Sequence, residues 1–374
     1  MRLKKEVKFV LLCLVITLVL FFAFKPKSGT KETKPNNDSG SNTNPPVEEV
    51  KDKKMSIVMV GDALIHGAVY LDASNGDGTY NFKPMFTYIT PIIEKYDLRY
   101  YNQESIIGGG TPQHYPLLNS PKEIGEDLVA AGFNLVSLAN NHSFDQGESG
   151  LINSINFWKS QNVITAGQYS SFEEQREVPI YEQNGIKYAF LSYTTKTNGL
   201  SAPRGKEYYV NVYDKDQVTE DVAKAREKGA EVVIVAMHWG EEYTHTPVAE
   251  EYEIAEYLSS IGVNLVIGAH PHVIQPIAYV GDTLVIYSLG NFISAQHPLG
   301  LEKIIGLLVG VEIVVDKDGK VTFENLDYQL LYTYCAPGYH NFSVMPFSEL
   351  NDSILANYQS INEQYLAIVG REGL

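Results

Sequence analysis

One unit recurs along the chain and limits the folds open to it: a helix, a glycine stop, a short apolar run, then a polar loop. "SPKEIGEDLVAAGFNLVSLANNH" (120–142) shows it most fully. Ser120 reads as a helix N-cap, Pro121 as the first helical residue, and Glu123 as the partner that completes a capping box. Gly132 suits the left-handed residue that ends a helix. "NLVSLA" then reads as a strand buried on both faces. The unit returns in "DVAKAREKGAEVVIVAMHWG" (221–240), with Gly229 as the stop, and in "AEYLSSIGVNLVIGAHPH" (255–272), with Gly262. Helices alternating with short apolar strands predict an α/β domain. Beyond residue 280 strands dominate, and "DKDGK" (316–320) has the composition of a hairpin turn. A second sheet packed on the first fits that order.

The first 54 residues differ from the rest. Residues 1–8 are basic, and residues 9–24, "FVLLCLVITLVLFFAF", run 16 residues without a charge. A bilayer needs about 20 apolar residues. Lys8 and Lys25 can extend the run by snorkelling, and the basic flank places the N-terminus in the cytoplasm. Residues 9–24 are therefore expected to be a single-pass transmembrane signal-anchor, with no small-residue cleavage site behind it. Residues 25–54, rich in Pro, Asn, Ser and Lys, read as a disordered stalk. Residues 55–345 form the main domain, expected outside the cell, and 346–374 a helical C-terminal segment.

Residues 1–54 carry a net charge of +5 against −16 for the whole chain, which leaves −21 for the remainder. A nucleic-acid binder needs a basic surface, so that class is excluded. Cys13 falls in the anchor and Cys335 stands single, expected to be buried; two such cysteines make no disulfide framework.

The chemistry sits at the ends of the apolar runs. "MSIVMVG" leads to Asp62 and His66, "YDLRYYNQ" to Glu104, "NLVSLA" to Asn140, Asn141 and His142, "VVIVAM" to His238, and "NLVIGA" to His270 and His272. Ligands of open α/β sheets bind at the C-terminal ends of the strands. A mixture of carboxylate and imidazole suits Mn, Fe or Zn, while Ca and Mg prefer oxygen alone. The donors suffice for two divalent metal ions, with a carboxylate such as Glu104 or Asp62 able to bridge them. Asn140, Asp145, Glu241, Glu242, Tyr243 and His245 are expected to support the ligands, to touch substrate or to lie on the surface. His114 and His297 are expected on the surface.

In "VGDALIH", "NQES", "SLANNHSFDQG", "VAMHWGEEY", "GAHPHVIQP" and "YSLGNF", taken in that order, the chain resembles the CapA-type proteins of poly-γ-glutamate capsule synthesis, a branch of the calcineurin-like metallophosphoesterases. The resemblance spans about residues 55–300. It implies a four-layer α-β-β-α sandwich with a dinuclear site. It implies that Asp62, His66 and His272 serve one metal, that Asn141, His238 and His270 serve the other, and that Glu104 bridges. It makes His142 the proton donor beside the leaving oxygen. Two departures stand out: Asp62 and His66 are four residues apart where the superfamily has two, and Glu104 stands where it has Asp.

Two functions are compatible with these residues. The first is a membrane-anchored extracellular hydrolase in which two metals activate water for attack on phosphorus or an amide carbonyl. The second is a non-catalytic metal-binding accessory subunit of a capsule polymer synthase complex. The partner in either case is an anionic envelope polymer such as poly-γ-glutamate, together with membrane polymer synthase subunits. Polymer and domain are both anionic, so contact is expected to be local, through metals or basic side chains such as Arg99, Arg204 and Lys206.

Overall fold

The run "MSIVMVGDAL" is apolar but for Ser56 and Asp62 because both of its faces are covered. In the computed structural model, which describes residues 51–296 and 300–370, it forms most of strand β1 (Lys53–Leu64), and every residue from Ile57 to Leu64 is buried. Next to β1 lie β2 (Leu98–Asn102), β3 (Leu135–Ser137) and β4 (Ile164–Ala166), all parallel. On its other side β12 (Ile305–Val315), β13 (Val321–Ala336) and β14 (His340–Pro346) continue the sheet antiparallel. β11 (Asn291–Ser294) pairs with the C-terminal end of β1.

A second sheet contains β5 (Tyr181–Gln183), β6 (Ile186–Thr194), β7 (Val232–His238), β8 (Leu265–Ala269), β9 (Ile277–Val280) and β10 (Thr283–Ile286). Its order is β5-β6-β7-β8-β10-β9, with β6, β7, β8 and β10 parallel. The two sheets share a core. Met55, Ile57 and Met59 of β1 pack in one cluster with Tyr188, Phe190, Ile234 and Leu265 of the second sheet. Alternate residues of β1, Val58 and Val60, belong to a different cluster with Ile124 and Leu128 of the helix Glu123–Ala130 and Trp158 of the helix Gly147–Ser160. On the far side Val233, Val235 and Val266 pack with Val218 and Val222 of the helix Lys215–Glu227 and with Ile254 and Leu258 of the helix Ala249–Ser260. The layers therefore run helix, sheet, sheet, helix. Each fully buried aliphatic side chain contributes roughly 1.5–3 kcal/mol. An exposed i,i+4 pair such as Lys122–Glu126 adds about 0.3–0.5 kcal/mol, so burial dominates.

The hairpin read in "DKDGK" joins β12 to β13, with Asp316 N donating to Lys320 O at 3.0 Å and Gly319 at φ 82°. Three local expectations differ from the structure. The stalk was expected to run to residue 54, but β1 begins at Lys53, where Lys53 and Lys54 pair with Val315 and Val314. Ser120 does not cap its helix: the helix starts at Glu123 behind Lys122, and Ser120 Oγ is buried 2.7 Å from Ser105 Oγ. That hydroxyl bond ties the Glu104 loop down, which outweighs a cap. Cys335 is half-buried rather than sealed in the core. In the C-terminal segment Tyr358–Val369 is helical. The apolar run 9–24 lies outside the described residues, and among the described residues no helix is long and apolar enough to cross a membrane.

Candidate metal centre

Parallel strands from both sheets end at one place. In the first sheet Asp62 of β1 stands in register with Asn102 of β2 and with Asn291 of β11. In the second sheet His238 of β7 stands opposite Ala269, the last residue of β8, and His270 follows it. The close approach of backbones here requires glycine at two positions. A Cβ on Gly61 would lie 1.8 Å from Gly290 O, and one on Gly268 would lie 1.8 Å from Tyr287 O.

The loop after β8 is unusual. His270 (φ 97°) and His272 (φ 58°) both occupy the left-handed region, which side chains with a Cβ rarely adopt. Such strain persists where surrounding contacts enforce it. Here His270 N donates to Asp62 Oδ2 at 3.3 Å, and Pro271 O accepts from Tyr243 N at 2.8 Å.

Among the described residues, three groups of side chains place their donor atoms within 4.8 Å of one another: Asp62, Glu104 and His272; Glu104, His238 and His270; Glu242, His270 and His272. Glu104 is common to the first two and stands between them. Its Oε1 lies 3.6 Å from His238 Nε2 and 3.7 Å from His272 Nε2. Glu104 is fully buried, and neither carboxylate oxygen has a hydrogen-bond partner. Burial, and then the charge of Asp62, push its pKa well above the ordinary carboxylate value. His238 and His270 are pushed the other way, first by burial and then by neighbouring imidazoles. A neutral imidazole keeps the lone pair that a metal needs. His270 Nδ1 is likewise buried without a partner. Three imidazoles and two buried carboxylates, with unpartnered atoms among them, fit divalent transition ions.

The supporting residues hold these donors in place. Asn102 Nδ2 donates to Asp62 Oδ1 at 2.8 Å, and Asn291 Oδ1 lies 3.1 Å from His272 Nδ1. Asn141 Oδ1 is 3.1 Å from His238 Nε2, which places it with the second group. Asn140 shapes the loop instead: it donates to Gln103 O at 2.8 Å and accepts from His142 N at 3.0 Å. His142 Nδ1 lies 2.7 Å from Asp145 Oδ2.

His66 falls outside all three groups. The four-residue spacing carries it past the strand to the start of the helix Gly67–Asp72, where its Nδ1 lies 3.0 Å from Leu64 O and 3.3 Å from Ala295 N. Glu241 is exposed and paired with Lys196 at 2.7 Å. His245 turns away, with Nδ1 2.8 Å from Ile274 O and its ring edge-on to Tyr365. Asn102 and Asn291 are the residues that sequence reading missed; the "GNF" of "YSLGNF" was the available signal for Asn291.

A cavity of about 830 Å³ opens beside the cluster. His66, His142, His272, Tyr115, Tyr243 and Tyr339 are among its walls. His114, expected on the surface, is exposed but also faces this space, and His297 lies outside the described residues. Of the basic side chains expected to meet a polymer, Arg99 is engaged with the Tyr96 and Gly132 carbonyls at 2.8 and 2.9 Å, and Lys206 is paired with Glu148.

Residues 56–296 match the family model described as bacterial capsule synthesis protein PGA_cap. The chain is 28% identical over 300 residues to the PGA biosynthesis protein CapA of Bacillus subtilis (strain 168), covering 78% of this chain and 74% of that protein. It is 27% identical over 261 residues to the capsule biosynthesis protein CapA of Bacillus anthracis, covering 67% of this chain and 62% of that one, under two thirds of its length. A solved structure of a putative 5'-nucleotidase from Staphylococcus aureus, in complex with alpha-ketoglutarate, overlays with a TM-score of 0.48 at 14% identity, over 84% of this chain and 58% of that one.

Proposed function

The chain belongs to the PGA_cap family of bacterial capsule synthesis proteins, and on that basis we propose that it is a metallophosphoesterase-type hydrolase with two divalent ions. In this reading it acts on an anionic envelope polymer such as poly-γ-glutamate, in its synthesis, export or anchoring. The observation that carries the reading is Glu104, a fully buried carboxylate with no hydrogen bond and an imidazole on either side. A buried carboxylate left so is costly, and a cation removes that cost.

Asp62, Glu104 and His272 would hold one Mn, Fe or Zn ion, and Glu104, His238, His270 and Asn141 the other. When bound, such ions supply Lewis acidity and activate water near neutral pH. His142 handles the proton. Asp145 holds its Nδ1, so Nε2 is the atom that gives a proton to the leaving oxygen. The ring borders the cavity where a substrate would lie. In the same reading the apolar run 9–24 anchors the domain at the outer face of the cell membrane, next to polymer synthase subunits.

Metal analysis of the purified full chain, followed by assays on phosphoester and γ-glutamyl substrates, tests the proposal. About two ions per chain with turnover supports it. A metal-replete chain without turnover removes the hydrolase reading and leaves the accessory subunit. Protease treatment of intact cells should release the domain; protection until lysis would rule out the outward-facing anchor.

A further inference from the structure

Among its described lining residues the cavity beside the metal centre has no lysine or arginine, and its one carboxylate is Glu242. A bare carboxylate there repels any anion that enters. Lys196 is taken by the neighbouring Glu241 at 2.7 Å. Among the described residues no lysine or arginine stands at ion-pair distance from Glu242.

What Glu242 does approach is a pair of metal-ligand candidates. It places a carboxylate oxygen within 4.8 Å of donor nitrogens of His270 and His272. The backbone fixes this approach. Tyr243, the next residue, takes the left-handed conformation at φ 66°, and its N donates to Pro271 O at 2.8 Å, between the two histidines. The Tyr243 hydroxyl accepts from Gln296 Nε2 at 2.6 Å. The loop that carries Glu242 is therefore fastened to the loop that carries His270 and His272. His270 Nδ1 is buried and has no hydrogen-bond partner. Asp62, Glu104 and Glu242 together bring three carboxylates to one centre. Burial, then Asp62, then Glu242 raise the pKa of Glu104. Cations relieve such a concentration of like charge. The carboxylates differ in exposure: Glu104 is fully buried, while Glu242 is exposed and borders the cavity.

We propose that Glu242 is an exchangeable metal ligand of this centre: it coordinates from the cavity side while no substrate is bound, and an anionic oxygen group of the substrate takes its place. The inference rests on the reading that these residues hold two ions. In that reading His272 and His270 belong to different ions, so Glu242 is within reach of both. A carboxylate fixed in the core, such as Glu104, has nowhere to go; one on an exposed side chain can swing into solvent. This role explains why a cavity meant for an anionic group is lined by a carboxylate and by no basic side chain.

Metal affinity of the full-length protein, read for Zn or Mn by competition with a chelating dye, tests the idea. The variants are Glu242→Gln and, as a control, Glu241→Gln, which removes the same charge one residue away from a side chain outside all three groups. Glu242→Gln should bind metal about tenfold more weakly or worse, with an unchanged melting temperature in chelator. Glu241→Gln should match wild type in both. Inorganic phosphate is the second probe. At saturating metal it should bind Glu242→Gln more tightly than wild type, because an anion that has to displace a seated ligand loses affinity by the share of molecules in which that ligand is seated. Wild-type metal affinity in Glu242→Gln, or an equal loss in Glu241→Gln, overturns the assignment as a ligand. Phosphate binding no tighter in Glu242→Gln overturns the exchange. The proposed function fails by different results: a wild type that binds no metal removes the two-ion reading and this inference with it, whereas a metal-loaded wild type without turnover, in which Glu242→Gln still weakens the metal, removes the hydrolase alone.

Discussion

His142 and Asp145 form a buried pair, with Nδ1 2.7 Å from Oδ2, and the same carboxylate oxygen accepts from Leu118 N at 2.7 Å. The ring is thus held in one orientation by a group that is itself held by backbone. A general acid positioned in this way is worth typically 10²–10⁴-fold in rate. His142→Asn should therefore lower turnover by about that factor while leaving metal content unchanged. Turnover like wild type in a metal-replete variant would remove His142 from the proton-transfer role.

Asp145→Asn should behave differently. It weakens the hold on the ring and perturbs the bond from Leu118 N, so both turnover and melting temperature should fall. Losing a buried hydrogen bond to a charged group costs about 1.5–3 kcal/mol. Calorimetry beside the rate assay would distinguish this from a purely catalytic loss.

Glu104→Gln gives opposite signs with and without metal. In chelator, the variant should be at least as stable as wild type, because it removes a buried carboxylate with no partner. With Mn or Zn added, wild type should gain stability and Glu104→Gln should gain much less, since ligand binding to the native state stabilises it. Melting curves in both conditions are sufficient. Equal metal-induced gains would mean that Glu104 is not a ligand.

Glu251 predicts a pH effect away from the metal centre. Burial raises its pKa to about 7, offset in part by the hydrogen bond from Val248 N. A carboxyl with a raised folded pKa contributes stability that is complete below its unfolded value near 4.5 and is lost as pH rises through about 7. Wild type should therefore lose stability between about pH 4.5 and 7 relative to Glu251→Gln, which cannot ionise. Denaturation midpoints of the two proteins across that range should diverge; parallel curves would refute the assignment.

Gly61→Ala and Gly268→Ala should each destabilise the domain strongly. The new methyl would have to displace a backbone carbonyl at 1.8 Å, not a movable side chain. Overpacking typically costs 1–3 kcal/mol and more where backbone must shift. Urea midpoints would measure it.

The five strand ends were legible because a catalytic or ligating residue after a buried apolar run is a local pattern. Asp62, Glu104, His238, His270 and His272 could be found that way, and the structure brings them together. Asn102 could not, since its role depends on register, and Asn291 was marked only by the "GNF" of "YSLGNF": each sits opposite Asp62 on a different neighbouring strand. His66 stands at the start of a helix, because spacing alone does not tell where a strand ends and a helix begins. Ser120 had a capping signature, but a tertiary contact with Ser105 claimed its hydroxyl.

The site straddles the two sheets. Asp62 lies in a strand of one sheet and Glu104 follows another of that sheet, while His238 ends a strand of the other sheet and His270 and His272 follow one. An ion held among them would work as a rivet between layers whose ligands are far apart along the chain, Asp62 and His270 being 208 residues apart, so neither sheet could peel away without breaking its coordination. Metal occupancy would then be inseparable from whether the layers stay closed.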